Sequence, residues 1–160
     1  MTDRDAPPLR PGDFVWTNFP FQSDPDRPGP IRHIACVIAT FSRRGASRAT
    51  NAPTGENGLV VGVYTSSQVR KFGDALPVGV VQVGASRASK AGEQKPFFID
   101  TRVRAFLPFD SRFFPLMELR NHGLVGRADQ TLFREIVKAY GDINQRRAEL
   151  IVNVGPFRPR

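Results

Sequence analysis

Short alternating or continuous apolar runs fill the first two thirds of the chain and predict β-strands. In "GDFVWTNFPF" (12–21), Phe14 and Trp16 alternate with Val15 and Thr17, the period of a strand with one buried face. One of the two large rings is therefore expected in the core. Further apolar and β-branched runs predict strands at 33–40, 59–67 and 78–84, and two short strands within 96–109.

Polar segments separate these runs. "QSDPDRPGPIR" contains three prolines and two aspartates and predicts an exposed loop. Residues 41–58 are basic and nearly free of large apolar side chains, which predicts a long flexible loop. Residues 85–95 are predicted to form a second mobile loop.

An apolar stripe with helical spacing appears late in the chain. Asp129 is a suitable N-cap, and the stripe predicts a helix at about 129–140, or to 147 if Gly141 does not end it. Residues 148–160 either extend this helix or form one more strand. The predicted fold is mainly β, a small barrel or curled sheet packed by one C-terminal α-helix.

Length and composition favour a single domain over residues 1–160. Its core is expected at about 11–147, with 1–10 and 148–160 as extensions. No apolar run approaches the ~20 residues of a membrane helix, and the polar start lacks an apolar signal core. We therefore expect a cytoplasmic protein that does not bind membranes.

The single Cys36 excludes an internal disulfide and is expected to be a small buried hydrophobe. Together with His33 and His122 it is too small a set for a structural zinc site. No metal site is predicted.

The net charge is +8, with 19 Arg and only 4 Lys. The planar guanidinium suits phosphate oxygens and stacks on bases, so this balance favours a polyanionic partner such as nucleic acid or an acidic protein segment. A GC-rich genome, which replaces Lys by Arg throughout, would give the same composition.

The ordered set of motifs resembles the PemK/MazF family of type II toxins. "PGDFVWTNFPF" is similar to the first strand of that family, and Arg32 before "HIACVIA" stands where the family places an arginine ahead of a buried strand. "VGVYTSS" is similar to a third strand ending in hydroxyl residues. "FIDTRVRAFLP" and "HGLVGRADQTLFREIVKAY" resemble the last strands and the C-terminal helix. The chain departs from the pattern at His33, where the family usually has proline.

The resemblance implies an SH3-like, PemK-like β-barrel that forms a homodimer. It implies a metal-independent, cofactor-free endoribonuclease that cleaves single-stranded RNA at selected sequences. The RNA 2′-hydroxyl attacks its own 3′-phosphodiester and leaves a 2′,3′-cyclic phosphate and a 5′-hydroxyl. It also implies a cognate antitoxin whose acidic C-terminal segment blocks the groove.

Such a reaction needs alignment and charge neutralisation rather than a protein nucleophile. Arg32, at a loop–strand junction, is the first catalytic candidate because its fork can bind two phosphate oxygens. The resemblance gives the second position to Thr65, with Ser66 as the alternative hydroxyl. A structural reading of Arg32 pairs it with Asp24 or Asp26.

Further residues are expected to contact RNA. Phe19 and Phe21 would stack on RNA bases. Gln68, Arg70 and Lys71 would also contact the RNA. His33 is a proton carrier at neutral pH, although strand alternation would turn it away from Arg32.

Two alternatives stay open. One is a gyrase poison of the same fold, and the other is a non-catalytic barrel that binds nucleic acid or protein. Only the enzyme requires Arg32 and Thr65 to meet in one open groove.

Overall fold

A mainly antiparallel sheet with one long C-terminal helix forms the molecule. The structure is a computed structural model and describes residues 8–42, 58–68, 72–73, 75–93 and 95–159. Its elements, in chain order, are β1 Asp13–Thr17, β2 His33–Ser42, β3 Gly58–Ser66, β4 Val80–Val83, α1 Ala85–Lys90, β5 Phe97–Pro108, β6 Leu124–Arg127, α2 Gln130–Arg146, a 3₁₀ helix Ala148–Leu150 and β7 Val152–Val154.

The strand order across the sheet is β4-β5-β3-β2-β1-β6, and β7 adds to β5 in parallel. This confirms the mainly β class with a C-terminal helix. The sheet is not closed into the predicted barrel, because no described residues of β4 and β6 pair with each other. The turn after α1 packs against β6 instead, so closely that a Cβ on Gly126 would lie 1.9 Å from the Ala91 carbonyl oxygen.

Two local predictions need correction. Residues 96–109 form one strand, β5, rather than two, and its register with β3 jumps from Arg104 to Asp100. The bulge at 101–103 breaks the alternation, which is why the sequence reads as two strands. Residues 85–95 contain helix α1 rather than a loop.

The remaining predicted elements differ from the structure mainly in where they begin and end. α2 begins after its Asp129 cap, whose carboxylate accepts from Leu132 N at 2.8 Å, and runs to Arg146 through Gly141. Residues 148–160 supply β7 rather than more helix. β2 continues to Ser42, and the remainder of the predicted 41–58 loop up to residue 57 lies outside the described residues, as do residues 1–7.

Each face of the sheet carries a buried apolar layer. Phe14, Cys36 and Val63 face α1 and α2, where Leu132 and Ile136 complete the layer. The opposite layer is closed by the segment after β5 and by β7, and contains Val15, Phe19, Ala35, Val37, Val60, Ala105, Leu107, Phe109, Phe113, Phe114 and Val154. Of the two rings predicted to alternate, Phe14 is the core residue and Trp16 is half-buried.

Arg104 fixes α2 to the sheet from inside. It is 5% exposed, and its guanidinium donates to Thr101 O, Asn144 Oδ1 and Tyr140 O at 2.6–3.0 Å. Its Cζ lies 3.5 Å from the Tyr140 ring centroid. Burial lowers the pKa of Arg104, so the three oxygen acceptors are needed to hold a cation there.

Replacing Arg104 with Met should lower the free energy of unfolding by about 2–4 kcal/mol, because the buried guanidinium no longer donates to the oxygens of β5 and α2. Urea denaturation measures this loss. Arg134→Ala, at an exposed position on the same helix, should change it by no more than about 0.5 kcal/mol. Equal effects from the two variants would show that Arg104 does not anchor the helix.

Candidate functional site

The two central strands β2 and β3 part at one end of the sheet. Their ladder stops at Ala35 opposite Tyr64. Beyond that point residues 33–34 remain paired with β1 alone, and residues 65–66 remain paired with β5 alone. The sheet therefore opens between the start of β2 and the end of β3.

An open groove with a cavity volume of about 510 Å³ occupies this end of the sheet. The strand ends and the turn after α1 supply its walls. The lining residues are Trp16, Arg32, His33, Ile34, Tyr64, Thr65, Ser66, Ser67, Gln68, Gly92, Glu93, Lys95, Phe97 and Val125. The groove thus collects Arg32, His33, Thr65, Ser66 and Gln68, five of the residues singled out from the sequence.

A hydrogen bond from Thr65 spans the gap between the strands. Its Oγ1 donates to the Ile34 carbonyl oxygen at 2.6 Å, and Thr65 is only 7% exposed. The hydroxyl takes the place of the next rung of the β2–β3 ladder. Its proton is therefore already used within the protein.

Ser66 is the freer of the two hydroxyls. It is half-buried, and its Oγ accepts from Gln68 N at 3.2 Å. A hydroxyl that accepts one bond keeps its proton for another partner. In this geometry Ser66, rather than Thr65, can donate to a ligand in the groove.

The Arg32 side chain is exposed and lies beside Trp16, with Cζ 5.7 Å from the ring centroid. Among the described residues it forms no ion pair, and the considered pairing with Asp24 or Asp26 is not formed. Arg158 donates to Asp26 instead. The donors of the Arg32 guanidinium are available to an anion.

The two aromatic candidates and His33 lie around a second cavity. Phe19 is 3% exposed and packs edge-on against Tyr64, with ring centroids 5.5 Å apart, so its faces are covered. Phe21 is 43% exposed. His33 lines both cavities, and the centroid of its ring lies 5.4 Å from the centroid of the Tyr64 ring. Arg70 and Lys71 lie outside the described residues.

Glu93 and Lys95 join the groove from the turn after α1, and the sequence reading missed both. Gly92 has a positive φ of 87°, its N donates to Ser89 O at 3.1 Å, and Glu93 N donates to Ala88 O at 2.8 Å. These are the bonds of a helix ended by glycine. A glycine after "ASRASKA" was the available signal, but the small and polar composition favoured a loop.

Burial shifts the pKa of Glu93 and of His33, two of the titratable groups in the groove wall. It raises the pKa of the Glu93 carboxyl and lowers the pKa of the His33 imidazole, because each charged form loses water. Within the described residues Glu93 has no ion-pair partner. Judged on the described residues, the groove therefore combines a guanidinium without an ion pair, a hydroxyl that accepts one hydrogen bond and a carboxyl group of raised pKa.

Neither protein-family models nor curated proteins give a relative of this chain. A scan of the chain against protein-family models found no match, and a search of curated proteins found no significant match. In the described part of the chain, no three His, Cys, Asp or Glu residues cluster closely enough to bind a metal ion. No helix among the described residues is long and apolar enough to cross a membrane.

Thr65→Val should lower the free energy of unfolding by about 1–2 kcal/mol, since it keeps the shape but leaves the Ile34 carbonyl without its donor. Amide exchange should quicken at the start of β2. Ser66→Ala is the matched control and should cost less than about 0.5 kcal/mol. An unchanged Thr65→Val protein would mean that this hydroxyl does not hold the strands together.

Proposed function

We propose that the protein is a metal-independent endoribonuclease that cleaves single-stranded RNA in the groove. The observation that carries this proposal is the position of Arg32, whose guanidinium forms no ion pair with any described residue and lies on the edge of a groove that also contains Ser66 and Glu93. The resemblance to PemK/MazF toxins, stated on sequence motifs alone, points to the same reaction.

The charge and shape of the groove suit a phosphodiester chain. Arg32 and Lys95 are positive, and the net charge of +8 draws polyanions to the surface. An exposed arginine beside a tryptophan provides a phosphate contact next to a stacking surface. An open groove accepts an unpaired strand, whereas a duplex would hold its 2′-hydroxyl out of line for attack.

The reaction proceeds by attack of the 2′-oxygen on the adjacent phosphorus. The 2′-O–P bond forms, the P–O5′ bond breaks, and the products are a 2′,3′-cyclic phosphate and a 5′-hydroxyl. One proton leaves the 2′-hydroxyl for a base of the groove, and one proton reaches the departing 5′-oxygen from solvent, so the overall reaction consumes no water and its balance includes no metal. The charge that grows on the phosphate oxygens must be neutralised in place.

Four groove residues have roles in this scheme. Arg32 binds two phosphate oxygens and stabilises their charge, because a guanidinium is too weak an acid to shuttle protons. Ser66 donates one further hydrogen bond to the phosphate. Glu93 takes the 2′-proton, since its raised pKa makes it a stronger base than an exposed carboxylate. Thr65 holds the strands that position the other groups.

The biological role proposed with this activity is that of a toxin in a type II toxin–antitoxin pair. The positive groove would accept an extended acidic segment of an antitoxin in place of RNA. A homodimer is part of the same proposal. These features rest on the sequence resemblance and on the charge of the groove.

A binding-only role for the same groove is the second candidate. It is favoured by Thr65, whose proton is committed to Ile34 O and does not reach a phosphate without breaking that bond. A binding module would retain RNA affinity through Arg32 and show no cleavage. The following two experiments separate the candidates.

Arg32→Ala should reduce RNA cleavage at least 100-fold, because the developing phosphate charge loses its main partner. Cleavage of a long single-stranded RNA is measured in EDTA by primer extension. Arg27→Ala, an exposed arginine of the same loop that lines neither cavity, is the control and should retain activity. Full activity of Arg32→Ala would remove Arg32 from the mechanism, and loss of activity in EDTA would indicate metal-assisted chemistry.

Glu93→Gln should slow cleavage about 100-fold or more and abolish the decline of the rate at acid pH. The wild-type rate should fall as pH drops through the raised pKa of Glu93. The free energy of unfolding changes in the opposite direction. The raised pKa of Glu93 in the folded state contributes stability at pH values below the pKa of the unfolded chain, and this contribution is lost as pH rises through the folded-state pKa. Glu93→Gln should thus be no less stable than wild type at pH 7. An unchanged acid limb in the variant would assign it to another group.

A further inference from the structure

A second cavity opens on the other side of His33 and Tyr64. Its volume is about 210 Å³, and Phe19, Pro20, Phe21, Gln22, Asp100 and Val103 complete its lining. Because His33 and Tyr64 line both spaces, the two cavities lie next to each other and share these side chains as a wall. We call this space the side cavity.

The size of the side cavity limits what can occupy it. Pockets for drug-sized ligands measure ~300–1,000 Å³, so the side cavity takes a single ring system rather than a folded segment. Three of its lining residues carry aromatic six-membered rings, and Phe21 is 43% exposed, with its ring available to a ligand. A flat aromatic guest is the form of ligand that such walls hold.

The polar groups of the side cavity favour a guest that donates hydrogen bonds. Asp100 is 5% exposed and is fixed by Arg102, which donates to its Oδ1 from Nε at 2.9 Å and to its Oδ2 from Nη2 at 2.8 Å. Oδ2 accepts one bond, which leaves acceptor capacity there. An ionised carboxylate accepts only, so it repels the carbonyl-rich edge of uracil and attracts amino groups.

We infer that the side cavity binds one unpaired nucleobase of the RNA, with preference for bases that carry an amino group over uracil. The base adjacent to the phosphate at Arg32 would turn past His33 and stack on Phe21 with its edge toward Asp100. This inference rests on the proposed function. It makes the side cavity a determinant of which sequence is cleaved.

Titration with three probes tests the inference. Guanosine 3′-monophosphate, uridine 3′-monophosphate and inorganic phosphate are each added to the protein, and dissociation constants are taken from amide chemical shifts. Guanosine 3′-monophosphate should bind at least about 5-fold more tightly than the uridine nucleotide, because an unmet hydrogen-bond partner in a buried site costs this much. It should also shift the amides of Tyr64 and Val103.

Phe21→Ala should weaken the binding of guanosine 3′-monophosphate by about 5- to 150-fold, which is the loss of affinity expected for one base–aromatic stack. The affinity for inorganic phosphate should not change. Phe41→Ala is the control, since Phe41 is similarly exposed but lines neither cavity. Equal effects of the two variants, or equal affinity for both nucleotides, would overturn the inference.

The failure of the inference can be told from the failure of the proposed function. Phosphate that binds wild type but not Arg32→Ala, with no shift at Tyr64 or Val103 from either nucleotide, leaves the groove as a phosphate site and removes only the side cavity. No binding of any probe would remove both.

Discussion

One hydrogen bond, from Thr65 Oγ1 to Ile34 O, determines the geometry of the groove. The β2–β3 ladder ends one residue earlier, and each strand then keeps only its other neighbour, β1 for β2 and β5 for β3. Without a side-chain link the strand ends would be free to separate. With it, the gap has a fixed width at the position where Arg32 precedes β2 and Ser66 ends β3.

The arginines show how this fold distributes positive charge. Arg102 pairs with Asp100, Arg127 with Asp13, and the buried Arg104 is satisfied by three oxygens. Arg32 lies beside the Trp16 ring and forms no ion pair with any residue that the structure describes. A cation kept at a groove edge without a carboxylate is the arrangement that leaves its donors for an external anion. The positive charge at the groove edge therefore depends on where Arg32 lies, and not only on the excess of arginine in the chain.

The sequence was sufficient for the fold class because the signals were local. Period-2 alternation around Phe14 and the apolar stripe after Asp129 each reflect one element packing on one core. Closure of a barrel is not local: it depends on whether the two edges meet, and here the turn at Gly92 lies against β6 instead. The bulge in β5 likewise breaks the alternation of buried and exposed residues, so the sequence predicted two strands where the structure has one.

The candidate site was partly predictable for the same reason. Arg32 and the hydroxyls of β3 lie at strand ends, and the alternation of apolar and polar residues predicts directly where strands end. Glu93 could not be found that way, because only the glycine-ended turn of α1 carries it to the groove. The choice between Thr65 and Ser66 depended on a single proton, and no sequence pattern shows to which oxygen a hydroxyl donates.

The central claim is that the substrate supplies its own nucleophile in the groove. The most direct measurement compares an RNA with the same RNA carrying one 2′-deoxyribose at the mapped cut, with product ends identified by mass. The account predicts a 2′,3′-cyclic phosphate and a 5′-hydroxyl from the RNA and no cut at the deoxy position. Cleavage of the deoxy substrate, or products with a 3′-hydroxyl and a 5′-phosphate, would contradict it.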